Sequence, residues 1–318
     1  MIIVGCGFLG KAAAQLFTSR GDRVLGIVGH ADSQKAFVSS HHELYTKGST
    51  NQRSSCNSKP LFPSSTATAV STAYSLQPTA SICPTGRIVT CDITNPVSVK
   101  TLTPKIDPPS LMIYAVSSKG GGPEAYAAIY RDGLKRTLDA WKPQRVIFVS
   151  STSVYAQREG EYVTEESPTE PERETSRLLL EAENIALASG GIVARFAGIY
   201  GPGRSVYLKK FLSGEATLEE APRWINQIHR DDGAKALLCL GLSENTSGIY
   251  NVCDDTPATQ HQVYQWIASH CNKSLPPIGP VNFNRKRGWT SKRISNQKLR
   301  ATGWKPDFPS YRNALSRL

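Results

Sequence analysis

Residues 2 to 28 constrain this chain most, because a strand, a helix and a second strand fit into so short a stretch. Ile2 to Val4 is an apolar run, Lys11 to Ser19 has helical periodicity through Ala12, Ala13, Leu16 and Phe17, and Val24 to Val28 is apolar again. A helix between two apolar strands is a βαβ unit and implies a parallel sheet. Further strands are expected at Ile88–Cys91, Leu111–Val116, Val146–Val149, Ile192–Phe196 and Ile249–Val252, with helices over Glu124–Trp141 and Glu172–Ala188. The alternation describes an α/β chain with a doubly wound sheet.

The turn inside that first unit reads Gly5-Cys6-Gly7-Phe8-Leu9-Gly10, a GxGxxG directly after a strand and opening a helix. Such glycines permit a tight turn, let backbone approach a pyrophosphate and allow close helix packing, with the phosphates at the helix N-terminus. The context makes the sheet Rossmann-like, with Gly5, Gly7, Phe8, Leu9 and Gly10 as candidate cofactor-binding residues. An acid closing the second strand would bind the adenosine ribose of NAD. Here the strand ends Val28-Gly29-His30, with no acid before Asp32. NADP is therefore preferred over NAD, with His30 or Lys35 either facing a 2′-phosphate or simply solvated. Asp92, in the run CDITN, is either a contact to the adenine or a helix N-cap.

With 318 residues, 39% hydrophobic and 20% charged, the chain can bury a full core. No run approaches the ~18 apolar residues of a membrane helix. The opening MIIVGCG resembles neither a signal h-region nor a transit leader, so a cytoplasmic location is expected, or a plastid or other organelle if a leader is missing. Seven scattered cysteines, without CxxC or zinc spacing, read as reduced thiols and give no metal site.

The net charge of +11 is unevenly placed, since residues 273 to 318 carry eleven Lys/Arg against the single acid Asp307. A solvated face, a pocket for an anionic substrate and, last, nucleic acid are the readings of that excess. Residues 49 to 86 contain fifteen Ser/Thr, no acid and no periodicity, and are expected to be a disordered insertion or a stretch of gene-model error.

The stretch from Val146 to Glu183 carries the chemistry. Hydroxyls at Ser150, Ser151, Thr152 and Ser153 end a buried strand, and an acidic loop leads to an amphipathic helix. Together GCGFLG at 5 to 10, CDIT at 91 to 94, SSTSVYA at 150 to 156, RFAGIYGPGR at 195 to 204 and INQIHRDDGAKALL at 225 to 238 resemble the extended short-chain dehydrogenase/reductase superfamily, in its NAD-dependent epimerase/dehydratase group. The closing run KRISNQKLRATGWKPDFPSYRNAL, 292 to 315, resembles the tail of an atypical branch that often lacks the usual Tyr and Lys.

The resemblance implies that Ser151 polarises a substrate and that Tyr and Lys, one helical turn apart, act as the acid and its pKa-lowering partner. Those two places hold Arg173 and Arg177, and none of the twelve tyrosines has Lys four residues later. Arginine stays protonated and is no general acid near pH 7. Arg177 is left as a cationic contact to cofactor ribose or phosphate. The proton is then expected from Tyr155, from Ser151 with Thr152, or from a water held by Arg173, each of which has a structural reading beside it. Arg204 in YGPGR is the leading candidate for an anionic substrate group, with Arg285 to Arg287 able to join it. His229, Arg230 and Asp232 form either a structural hydrogen-bonded cluster or a substrate contact.

The expected layout is a Rossmann core over residues 1–200 and a substrate region over 201–318, with 225–255 returning to the core. The expected activity is that of an NAD(P)-dependent oxidoreductase or epimerase on a small, anionic or nucleotide-linked sugar. The alternative is an NAD(P)-binding sensor or scaffold without turnover. No membrane partner is expected, and the helices Glu124–Trp141 and Glu172–Ala188 resemble those that form homodimers in the superfamily.

Overall fold

The structure is a computed structural model and describes residues 1–29, 86–283 and 288–315. The expectations at His30, at Lys35, at Arg285 to Arg287 and for the Ser/Thr-rich stretch up to residue 85 lie outside the described residues.

Seven strands form the central sheet: β1 Ile2–Val4, β2 Val24–Val28, β3 Gly86–Thr90, β4 Met112–Tyr114, β5 Val146–Ser151, β6 Ile192–Phe196 and β7 Gly248–Val252. They lie in the order β7-β6-β5-β4-β1-β2-β3, and every pairing is parallel. The order reverses between β1 and β4, which opens a crevice at their carboxyl ends. The doubly wound, Rossmann-like sheet read from the sequence is the fold.

Side chains alternate across the sheet as a period of two requires. Ile3, Ile113, Ile147 and Ala194 pack on one face against Phe17, Leu237 and Leu240, from α1 (Phe8–Ser19) and a later helix, Arg230–Leu242. Ile2, Tyr114, Phe148 and Val193 pack on the other against α4 (Gly133–Trp141) and α5 (Glu174–Ala188), which follow the short helices α2 (Pro96–Leu102) and α3 (Pro123–Tyr126). Helix Arg230–Leu242 is α6.

Element ends differ from the sequence expectation. β5 runs two residues further, so Ser150 and Ser151 belong to the strand, and α5 begins at Glu174 rather than Glu172. The expected helix over Glu124–Trp141 contains a π segment at Ala127–Asp132. There the Tyr114 hydroxyl donates to the Ile129 carbonyl at 2.5 Å, and a Cβ at Gly133 would meet that hydroxyl at 2.7 Å. A side chain inserted into the helical ladder widens it locally.

The C-terminal half has its own core of Tyr200, Phe211, Leu218, Ile225, Tyr264, Ile267 and Tyr311. It returns to the first half twice: β7 joins the main sheet, and Lys292–Ile294 pairs in parallel with Glu161–Val163. Leu299 and Trp304 of the tail pack into the first core. Among the described residues no helix is long and apolar enough to cross a membrane, and no cluster of three or more His, Cys, Asp and Glu could hold a metal ion.

Candidate active site

The glycine turn has the geometry that its spacing requires. Gly5 has φ +90°, and a Cβ on it would lie 2.5 Å from the Ala115 carbonyl oxygen at the end of β4. A Cβ on Gly10 would lie 2.3 Å from the Gly5 oxygen, whereas one on Gly7 would meet nothing within 4 Å. Gly5 and Gly10 thus let turn, strand and helix close on one another, and exposed Gly7 leaves its outer side open. Gly7 is the N-cap of α1, with no side-chain cap and no acid in the first turn. Uncapped amides at a helix N-terminus attract an anion, so the residues present fit a dinucleotide pyrophosphate.

Two cations stand over that turn. Arg204 and Arg230 place their guanidinium carbons 5.1 and 5.2 Å from the centroid of the Phe8 ring. The YGPGR segment reaches the turn because Gly201, joined to Arg204 by reciprocal backbone hydrogen bonds of 2.9 Å, packs on Phe8, His229 and Arg230. Arg204, expected at the substrate, is therefore brought to the glycine turn.

His229 is 4% exposed, caps α6 by accepting from the Asp231 N–H at 3.3 Å, and lies 3.9 Å from the Phe308 ring, centroid to centroid. Its structural alternative is the one that the geometry favours. Buried Asp232 accepts from the Asp307 and Phe308 amides at 2.8 and 2.9 Å and so holds the tail against α6. Exposed Asp92 accepts from the Thr94 amide and hydroxyl in an Asx turn. The cap of α2 is Asn95, not Asp92.

At the end of β5 the hydroxyls divide. Ser150 points inward and donates to Glu183 Oε1 at 2.5 Å, and Glu183 takes three hydrogen bonds from the Arg195 guanidinium at 2.6 to 3.1 Å. Arg195 also donates to the Tyr155 hydroxyl at 2.8 Å, which donates to Asn251 Oδ1 at 2.9 Å. All five residues are buried. Burial first, partly offset by Arg195, pushes the Tyr155 phenol above its ordinary value. Tyr155 thus has its hydroxyl engaged inside the protein, which corrects its expectation as a proton donor to the cleft. Ser151 and Thr152 remain partly exposed, with Ser151 Oγ accepting from the Ser153 amide at 3.2 Å.

The two arginines of the helix are not equivalent. Arg173 has φ −86° and ψ 134° and is the N-cap, outside the helix, so it and Arg177 do not form a pair on one helical face. Arg177 Nε donates to the Pro171 carbonyl at 3.1 Å, which ties it to the preceding loop. Arg173 instead borders a small cavity of about 40 Å³ with Ser153, Tyr155, Ser176, Trp289 and Thr290. Its guanidinium lies over Gly288, where a Cβ would come within 3.2 Å of Nε. That volume suits a water or one functional group of a ligand. A larger groove, of about 690 Å³, is walled by helical side chains such as Lys100, Asp132 and Lys135, and no strand-end hydroxyl faces it.

Sequence reasoning missed Lys292. It is 4% exposed, and Nζ donates to the Tyr155 backbone carbonyl at 2.6 Å and to Thr290 Oγ1 at 3.0 Å. Burial, aided by Arg223 and opposed by Glu161, lowers its amine to about 7. The available signal was periodicity: in the strand Lys292–Ile294 the lysine shares a face with Ile294, and that face is buried.

The family model described as the NAD dependent epimerase/dehydratase family matches residues 1–253. The chain belongs to that family. Protein YeeZ of Escherichia coli (strain K12) is 30% identical over 168 residues, which cover 51% of this chain and 59% of YeeZ. The 3-diazoavenalumate denitrifying reductase of a Streptomyces species is 31% identical over 161 residues, 45% of this chain and 52% of that enzyme. The match thus spans little more than half the length of these curated relatives. Among solved structures, a Methylobacillus flagellatus protein described as a NAD-dependent epimerase/dehydratase superposes with a TM-score of 0.71 at 25% identity, over 100% of this chain and 96% of that one. The Thermus thermophilus UDP-glucose 4-epimerase, in complex with NAD, gives 0.71 at 16% identity over 99% and 96%, a likeness of fold.

Proposed function

We propose that this epimerase/dehydratase family member is a nicotinamide-dependent oxidoreductase or epimerase acting on a small, anionic carbonyl compound or sugar, nucleotide-linked or not. One observation carries the reading: the open glycine turn follows β1, where the strand order reverses, and the strand-end hydroxyls follow β5, next to β4 on the other side of that reversal. When bound there, a nicotinamide dinucleotide supplies hydride chemistry. The amides of Phe8, Leu9 and Gly10 hold its pyrophosphate beside the open side of Gly7, whose own amide donates to the Gly5 carbonyl at 2.7 Å, with Arg204 and Arg230 as counter-charges, and exposed Asp92 lies toward the adenine side. NADP is preferred because β2 ends in exposed Gly29 and offers no carboxylate there. Ser151 and Thr152 polarise the substrate oxygen, and Arg173 holds its anionic substituent. Arg177 stabilises the loop that presents Arg173.

The anionic substrate is supported by Arg173 at the border of the small cavity, where Arg158 is paired with Glu172, and a solved relative in fold, MoeE5, was obtained in complex with UDP-glucose and NAD. A second reading, dinucleotide binding without turnover, is favoured by the arginines at both expected acid-pair positions. A cytoplasmic location and a homodimer through α4 and α5 complete the proposal. Titration with NADPH and NADH, followed by absorbance assays with sugar nucleotides and simple carbonyl compounds, tests it. Oxidation of the reduced dinucleotide by a carbonyl compound, or interconversion of a sugar nucleotide without net oxidation, supports the enzyme, and binding with neither, unaltered by Ser151→Ala, supports the sensor.

A further inference from the structure

Arg173 and Arg177 stand where the acid and its partner were expected, and the Tyr155 hydroxyl is turned inward. A titratable group nevertheless stands directly behind the cavity wall. It comes from the tail, more than a hundred residues after the strand-end serines. Lys292 Nζ is anchored on the Tyr155 carbonyl, and its second partner, the Thr290 hydroxyl, belongs to a residue that borders the cavity with Arg173 and Ser153. We propose that Lys292 is the positioning residue that keeps this cleft supplied with a proton, which passes through Thr290 Oγ1 to the ligand oxygen. The inference rests on the oxidoreductase reading above.

The placement fits the task. Both hydrogen-bond partners are uncharged oxygens, so neither holds the amine permanently in its ammonium form. The charged groups facing it are Glu161, its register partner on the neighbouring strand, and Arg223, one favouring and one opposing the charge. At the cavity rim stand Arg173 and the ion pair of Arg158 with Glu172, at 2.7 Å, and Arg223 also approaches the Thr290 carbonyl, at 3.5 Å. Burial first, with Arg223 adding to it and Glu161 opposing it, brings the amine close to neutral pH, where a proton donor is most useful.

In a carbonyl reduction the carbon accepts a hydride from reduced nicotinamide dinucleotide, and the C=O π pair moves onto oxygen. That oxygen takes the Thr290 hydroxyl proton, Thr290 Oγ1 is reprotonated by the Lys292 ammonium, and the neutral amine recovers a proton from solvent. The dinucleotide is oxidised by two electrons and the carbonyl is reduced by two, so the balance closes.

The test uses the full chain, NADPH and NADH, and a carbonyl panel containing UDP-4-keto-6-deoxyglucose and 4-carboxybenzaldehyde, with Lys292→Met and Thr290→Val as variants. Met matches the stem and removes a buried charge, so folding is retained; Thr290→Val keeps the side chain's shape and removes the relay hydroxyl, one of the two acceptors of Lys292 Nζ. The Lys292 amine is also titrated directly by nitrogen-15 and carbon-13 lysine NMR, with Lys292→Met supplying the assignment. Expected are an amine titrating near neutrality, a rate limb at the same pH, and loss of that limb with about a 100-fold fall in rate in both variants. Dinucleotide affinity stays unchanged in both. An amine titrating in the ordinary lysine range, or variants that keep rate and limb, overturns the inference while leaving the oxidoreductase reading intact. Wild-type protein that binds a dinucleotide and reduces none of the panel overturns both.

Discussion

Lys292 Nζ lies 2.6 Å from the backbone carbonyl oxygen of Tyr155, so a strand of the tail is fastened by its side chain to the loop that ends β5. A buried amine held in this way couples stability to pH. Its titration falls from 10.5 to about 7 on folding. Between those values the unfolded chain binds more protons than the folded one, so stability from this group rises with pH, by about 1.4 kcal/mol per unit at the steepest. Below the folded value both states are protonated and the slope vanishes. Urea unfolding at pH 7, 8 and 9 should show Lys292→Met more stable than wild type at pH 7, with the gap narrowing as pH rises. Parallel curves for the two proteins would contradict this account.

The glycine turn separates binding from folding. Gly7→Ala adds a Cβ into open space at φ −84°, so melting is expected near wild type while dinucleotide affinity falls roughly tenfold, about 1.4 kcal/mol. Gly10→Ala presses a Cβ against the Gly5 oxygen and is expected to cost about 1–3 kcal/mol of stability. Calorimetric melting beside fluorescence titration with NADPH distinguishes the two; equal effects on both properties would contradict the assignment.

The network behind β5 is structural. Glu183→Ala leaves the buried Arg195 guanidinium without its carboxylate and is expected to cost about 3–5 kcal/mol. Tyr155→Phe deprives Arg195 and Asn251 of one partner each, for about 1–3 kcal/mol, without changing the pH dependence of turnover. Denaturant unfolding measures the first, and a pH–rate profile of Tyr155→Phe checks the second. A lost rate limb in Tyr155→Phe would return that phenol to the list of acids.

Arg204 and Arg230 are expected to act on the cofactor rather than on the substrate. Replacing either by Ala should weaken dinucleotide binding roughly tenfold and flatten its salt dependence, with little change in substrate KM. A KM effect alone would move Arg204 back to the substrate.

The fold was legible because its strands alternate with helices and its glycine spacing has few other uses. Ile3, Ile113 and Ile147 face one layer and their neighbours the other, as period two demands. Of the candidate site, only the part that lies along the chain was legible, as in the geometry of the turn at Gly5 to Gly10. Glu183, Arg195 and Asn251 come from three separate elements, so their network could not be read from any one motif. Partial signals existed: Arg195 stands inside the apolar run IVARF, and Glu183 lies on the helix face of Leu179 and Ala186, where a charge needs a partner. The position of Arg204 could not be read from its local turn; Phe8, nearly two hundred residues earlier, decides where that cation rests.

The central claim is that the glycine turn and the hydroxyl-lined crevice work as one redox site. The most direct measurement is fluorescence titration of the purified full chain with NADPH and NADH, followed in the same cuvette by addition of an anionic carbonyl compound. The account predicts saturable binding, tighter for NADPH, and loss of the reduced-nicotinamide signal when the carbonyl is added. Failure to bind either dinucleotide would contradict it.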